Sequence, residues 1–133
     1  MKQLQPYLIF TGNCREAMEF YRDCLNGEMT LMDTLADSPM DVPEEAAHLI
    51  FNSEMRAEGI SIRASDNLPS NETIFGSNFS LFTQFSDKEE MSDAYDKLSV
   101  GGEVMMPLAD TPSGGSFGMF ADKYGIQWML VFE

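Results

Sequence analysis

The same order of local signals is written twice into this chain, and that repetition limits its fold more than any single motif. Leu4 to Phe10 is a short apolar and aromatic run of strand type. Thr11-Gly12-Asn13 makes a turn, and Asn13 is placed to cap a following helix, with Glu16 three residues on as its capping-box partner. Met18, Tyr21 and Leu25 recur at helical spacing between Glu19, Arg22 and Asp23, and Asn26-Gly27 stops the helix. A strand is expected from Glu28 to about Leu35. The stretch from Ala36 to Glu45 holds two prolines and four acids and reads as a loop. Two further strands are expected near His48 to Asn52 and Gly59 to Ala64.

After a polar connector from Ser65 to Ser77 the order restarts. Phe79 to Phe85 reads as a strand, and Asp87 to Leu98 as a helix with Met91, Ala94, Tyr95 and Leu98 on one face. Gly101-Gly102 ends it. Strands follow near Glu103 to Met106, Ser116 to Ala121 and Gln127 to Phe132. Each half therefore reads β-α-β-β-β, with module one at about residues 3–66 and module two at about 77–133 of a single domain. The halves echo each other in residues too: Met18 and Leu25 have the spacing of Met91 and Leu98, and in each half a Glu (Glu28, Glu103) opens the strand after the helix-ending glycine. Element order and residue echo together point to an internal duplication in an α+β protein. A generic ferredoxin-like α+β sandwich is the competing architecture.

Charge and composition remove several classes of function. Against 22 acidic residues stand 8 basic ones, a formal −14. Such a surface repels phosphate backbones and anionic lipid, so neither nucleic acid nor membrane is an expected partner. The longest apolar runs, such as Leu8-Ile9-Phe10, fall far short of the roughly 20 residues a membrane helix needs. No apolar stretch with a cleavage site follows Met1, so a secretory leader is not expected. Cys14 and Cys24 lie ten residues apart on one expected helix, about 15 Å along its axis and too far to bridge. Two free thiols suit a reducing compartment, and the expected location is cytoplasmic.

Three segments carry a resemblance. PYLIFTGNCREAMEFY, from Pro6 to Tyr21, is similar to the opening of the PhnB-like branch of the vicinal-oxygen-chelate (glyoxalase, bleomycin-resistance, dioxygenase) superfamily. The stretch around His48, then Ala64-Ser65-Asp66 with Leu68-Pro69, resembles that family's middle. Asp122-Lys123-Tyr124-Gly125 followed by Trp128-Met129 resembles its closing segment. The resemblance implies paired βαβββ modules whose sheets curl around a shared pocket, and a homodimer. In metal-using members of the superfamily, four His or carboxylate ligands from the first and last strand of each module hold a divalent ion that polarises substrate oxygens. Here those places read Gln5, Pro6, Tyr7; Ser61, Ile62, Arg63; Phe79, Ser80, Leu81; and Gln127, Trp128, Met129. None offers His, Cys, Asp or Glu. No metal and no cofactor are expected.

The candidate ligand-binding residues are His48, Arg63, Tyr7 and Trp128. His48 is the only histidine. It reads either as a pocket hydrogen-bonding group or general base, or as a strand residue bonded to backbone. Arg63 reads as a fork for carboxylate or phosphate, or as a surface residue paired with an acid. Tyr7 and Trp128 would stack on a ligand, or Trp128 would fill the core. Asp122 is a turn former. Thr111 to Gly115 lacks the Lys and following helix of a phosphate loop, and reads as a β-turn or a lid. The expected function is metal-free binding of a small molecule, as in sequestering members of the superfamily. The alternative is a metal-dependent lyase, isomerase or dioxygenase of the glyoxalase type. A methyltransferase, a label attached to some PhnB-like proteins, lacks its glycine-rich cofactor loop after the first strand. Elemental analysis separates the first two readings: protein purified without a tag is expected to carry no bound transition metal, and about one equivalent of zinc, nickel or iron would overturn this.

Overall fold

In each half the first strand pairs in parallel with the last, and two antiparallel pairings complete the sheet. The computed structural model describes every residue from Met1 to Glu133. The elements are β1 (Tyr7–Phe10), α1 (Cys14–Leu25), β2 (Glu28–Thr34), two 3-10 turns (Leu35–Asp37 and Glu44–Ala46), β3 (Ile50–Ala57) and β4 (Ile60–Asp66). They continue with β5 (Leu81–Phe85), α2 (Lys88–Leu98), β6 (Glu103–Asp110), β7 (Ser116–Ala121) and β8 (Gln127–Phe132). The two sheets run β1-β4-β3-β2 and β5-β8-β7-β6, the same order in both halves. The protein is α+β and built from two βαβββ modules, and the chain divides into units Met1–Ile74 and Phe75–Glu133.

In module one α1 lies on one face of the sheet. Its buried stripe is Cys14, Ala17, Met18, Tyr21, Cys24 and Leu25. The strands meet it with Leu8, Phe10, Met55, Ile62 and Ala64, all buried. Tyr21 packs on Phe10 with ring centroids 6.4 Å apart. Each large side chain so enclosed contributes roughly 1.5–3 kcal/mol. Cys14 faces Ser53, Sγ to Oγ 3.7 Å, and burial pushes its thiol up to about 12, so it stays protonated and inert. Both cysteines are free. Asn26 ends α1 in the left-handed conformation at φ 54°, as the Asn-Gly pair predicts.

The start of α1 departs from expectation. Asn13 makes no capping hydrogen bond, and its Oδ1 is buried without a partner. The cap comes from the end of the module's last strand, next to β1 in the sheet. Asp66 closes β4 beside Phe10, and its Oδ1 accepts from Gly12 N and Cys14 N, each at 2.9 Å. Its Oδ2 accepts from Ile50 N at 2.9 Å. One carboxylate thus ties together the β1–α1 turn, the first turn of α1 and the first residue of β3.

The segment expected to be a loop from Ala36 to Glu45 contains most of the two 3-10 turns. Leu35, Ala46 and Leu49 form a small buried cluster there, with Val42 and Leu68 against it. The strand expected to end at Asn52 runs on to Ala57, β6 runs on to Asp110, and β1 and β5 start later than expected.

In module two α2 packs on β8 and β5. Its cap is Asp87, whose Oδ1 accepts from Glu89 N at 2.9 Å. Tyr95 of α2 meets Phe120 of β7 edge-on, centroids 5.3 Å apart at 87°. Gly118 makes that approach possible, because a Cβ there would stand 2.7 Å from the Tyr95 ring. Asp122 organises the closing turn. Its Oδ1 accepts from Tyr124 N at 2.8 Å and Ile126 N at 3.1 Å, its Oδ2 from Trp128 Nε1 at 2.8 Å, and Gly125 takes φ +89°. Thr111 to Gly115 is a hydrogen-bonded turn, with Thr111 N on Gly115 O at 2.8 Å.

The two helix-start residues predict opposite outcomes. Asp66→Ala is expected to lower stability by about 2–3 kcal/mol in urea unfolding, having orphaned three backbone N–H groups. Asn13→Ala is expected to stay within about 0.5 kcal/mol of the parent. Equal losses for both would contradict the assignment of the cap to Asp66.

Candidate ligand-binding site

Strand alternation sorts module one's sheet into two faces. Leu8, Ser53, Met55, Ile62 and Ala64 point to α1. Tyr7, Asn52, Glu54, Arg56, Ser61 and Arg63 occupy the opposite face. The register sets Tyr7 beside Arg63 across the parallel β1–β4 pair, and Arg63 opposite Glu54 across the β4–β3 hairpin. A row of three side chains therefore crosses three strands.

Glu54 is the centre of this face and is 7% exposed. Its Oε1 accepts from Thr30 Oγ1 at 2.7 Å and Arg56 Nε at 2.9 Å. Its Oε2 accepts from Gln5 Nε2 at 2.9 Å, Arg63 Nε at 3.2 Å and Arg56 Nη2 at 3.3 Å. Gln5 also donates to Ser61 Oγ. A carboxylate offers about four lone-pair sites, and five donors saturate it. The hydrogen bond from Arg56, then those from Gln5 and Thr30, hold the Glu54 carboxyl well below the usual carboxylate range, outweighing the opposing effect of its burial. Glu54 in turn raises the Arg56 guanidinium above its ordinary value. A saturated, firmly ionised carboxylate is an anchor for neighbouring cations and has nothing left to offer as a general base.

Arg63 is held but not used up. Its Nε goes to Glu54 and its Nη1 to Asn52 Oδ1 at 3.2 Å, while Nη2 makes no hydrogen bond, and the side chain is 34% exposed. Tyr7 beside it is half exposed. The structure thus brings Arg63 and Tyr7 together on one face and supplies Arg63 with a protein carboxylate.

The other two candidates fall elsewhere. His48 was expected on a strand. It is exposed in the turn before β3, because Ala46 and Leu49 turn inward to the Leu35 cluster and the strand starts only at Ile50. Its imidazole makes no hydrogen bond. Trp128 reads from sequence either as a ligand-flanking ring or as a core residue. It is 1% exposed, sits between Leu81 and Phe120, and its indole N–H is bound to Asp122, so it is a core residue.

A divalent ion does not fit the residues at the superfamily's ligand places. In module one, Tyr7 stands beside the Arg63 guanidinium, and the nearest carboxylate, Glu54, is saturated by donors. In module two, Leu81 pairs with Trp128 and Phe82 with Met129. Nowhere do three His, Cys, Asp or Glu side chains gather in a cation-binding group.

A family model described as 3-demethylubiquinone-9 3-methyltransferase matches residues 2–131. The chain belongs to that family. Protein YjdN of Escherichia coli is 28% identical, over 96% of this chain and 92% of its own length. A crystal structure of protein PA1353 from Pseudomonas aeruginosa is 35% identical, with a TM-score of 0.91 over 100% of this chain and 98% of the other. A Bacillus cereus structure described as a putative 3-demethylubiquinone-9 3-methyltransferase, PhnB protein, matches the fold at a TM-score of 0.83 and 24% identity, over 99% of this chain and 100% of its own. A Frankia glyoxylase/bleomycin resistance protein/dioxygenase domain shares the fold at 0.68 and 12% identity, over 99% of this chain and 92% of its own. The chain therefore shares its fold with a PhnB protein and with a glyoxylase/bleomycin resistance protein/dioxygenase domain, the group its three motifs resemble.

Glu54 was missed because the strand expected near His48 to Asn52 stops short of it, whereas β3 runs to Ala57. The signal was present in the hairpin: the two-residue turn Glu58-Gly59, with Gly59 at φ +73°, makes Ala57 face Ile60, and three further residues back on each side Glu54 faces Arg63. Because the folded-state pKa of Glu54 is lowered, the unfolded chain takes up the proton first as pH falls. The stability from Glu54 is fully present above its ordinary value of 4.5 and is lost as pH drops from there toward the folded-state value. Between pH 6 and pH 3 the parent is expected to lose more urea resistance than Glu54→Gln, and parallel pH profiles would contradict this.

Proposed function

We propose that this protein is a metal-free binding protein for a small organic molecule with an anionic or hydrogen-bonding head. The observation that carries the reading is Arg63: a guanidinium held in place by Glu54 and Asn52, with Nη2 unbonded, on the last strand of module one, a strand that the resemblance implies supplies a ligand in metal-using members. A guanidinium fork binds planar oxygens in two parallel bonds. Tyr7 supplies a half-exposed ring beside it. A glyoxalase-type lyase, isomerase or dioxygenase would need a Lewis acid that the residues at the four places do not accommodate. Fold and family description do not by themselves fix chemistry. The methyltransferase label meets a further obstacle: the Gly12 and Cys14 N–H groups at the start of α1, where a cofactor loop would act, are already bound to Asp66.

Two free cysteines, one of them with a raised pKa, suit a reducing cytoplasm. No helix is long and apolar enough to cross a membrane. We take the protein to be a homodimer. At a formal −14 its association is expected to tighten as salt screens like charge, and light scattering at micromolar concentration that gives a monomer at every salt level would refute it.

The binding reading is tested by a thermal-shift screen of small carboxylates, phosphonates and neutral analogues, since a ligand of the folded state raises the melting temperature. A hit is expected to lose about 1.5–3 kcal/mol of affinity in Arg63→Ala, the range for a hydrogen bond to a charged group. Undiminished affinity in Arg63→Ala would remove Arg63 from the site.

A further inference from the structure

We infer that the open face of module one selects singly charged carboxylates over doubly charged phosphate esters, and that Glu54 sets this preference by cancelling one of two guanidinium charges while holding Arg63 in position. The inference rests on the reading of Arg63 as the ligand anchor and specifies what that anchor accepts.

Charge bookkeeping on this face supports it. Glu54 touches Arg56 and Arg63, so the hydrogen-bonded cluster carries two positive charges and one negative. The remaining single positive charge is not spread evenly. Arg56 makes two bonds to Glu54, through Nε and Nη2, whereas Arg63 makes one. The other acids placed on this face by register are Glu28, opposite Arg56, and Asp33, opposite Asn52. Both lie on β2, two strands from Arg63. On the Arg63 side, β1 carries no acid, and the single acid of β4, Asp66, is engaged by Gly12, Cys14 and Ile50. The uncompensated charge therefore faces the β1 side, where Nη2 has no partner and Tyr7 stands next to it.

A carboxylate matches that supply: one charge, and planar oxygens suited to a guanidinium edge. A phosphate ester at pH 8 brings a second charge, its second pKa being about 6. Apart from Arg56, which is bonded twice to Glu54, no further cation stands on β1, β4 or β3 to meet that charge, and the field of a chain at −14 opposes it. Glu54 touches no ligand in this arrangement and is a positioning residue. Saturated by Thr30, Gln5 and Arg56, it cannot swing away, which fixes Arg63 Nε and leaves Nη2 outward.

The test uses the full chain at pH 8 with two aromatic probes, benzoate and phenyl phosphate, titrated by ligand-observed NMR or calorimetry. The parent is expected to bind benzoate about tenfold or more tighter than phenyl phosphate, the order of one charge-assisted hydrogen bond. Glu54→Gln leaves both guanidinium charges uncancelled, and the preference is expected to narrow by about fivefold. A merely structural role for Glu54 would weaken both probes alike and leave the ratio unchanged. Should Glu54→Gln not fold, Arg56→Gln alters the same charge from an exposed side chain, and is expected to weaken benzoate about threefold to fivefold with Arg63 intact. Phenyl phosphate binding as well as benzoate, or an unchanged ratio in Glu54→Gln, would overturn the inference while leaving Arg63 as anchor. Benzoate binding that survives Arg63→Ala would instead remove the anchor itself.

Discussion

The parallel pairing of first and last strand decides where everything else in each module goes. Parallel neighbours cannot be joined by a tight turn, so the chain must leave the sheet after β1 and after β5 and return through other elements. In module one α1 lies on one face and takes the large apolar side chains of alternate strand positions with it. The other face is left without a helix, and the closing β1–β4 pair sets Tyr7 beside Arg63 there. A buried–exposed alternation along β1 and an apolar–polar one along β4 thereby become a core on one side and a candidate site on the other.

Three buried or half-buried carboxylates then do the organising that apolar packing cannot. Asp66 bonds N–H groups from a turn, a helix start and a strand start; Asp122 bonds two turn amides and the Trp128 indole; Glu54 collects two guanidiniums, a hydroxyl and an amide. A buried acid is costly unless its oxygens are satisfied, and each of these is satisfied by groups distant in sequence or across a turn. For a chain with 22 acidic residues, the count says little about structure, and the placement of three of them says much.

The fold was legible because helix and strand periods differ and because glycine and asparagine punctuate them. Met18, Tyr21 and Leu25 marked α1, Asn26 ended it in the left-handed region, and the same grammar held for α2. The site was less legible. His48 follows Ala46 and Ala47 in a stretch that passes for a strand until Ala46 and Leu49 are seen turning into the Leu35 cluster. Trp128 reads as either a ligand platform or a core residue, and only the fold decides for the core by committing its indole N–H to Asp122. Asn13 has the right residue type for a cap, but the helix-start amides that find a side-chain acceptor are those of Gly12 and Cys14, held by Asp66 of β4.

Residue types and their spacing indicated by themselves the two βαβββ repeats and where both helices stop, because these follow from periodicity and turn residues, while the family entered through the resemblance of three segments. Tertiary structure alone decided which acids are anchors, which face Arg63 takes and what remains unbonded on it. Those depend on strand register, which brings together residues as far apart as Gln5, Thr30, Glu54 and Arg63, and a shift of one residue would have sent each to the opposite face.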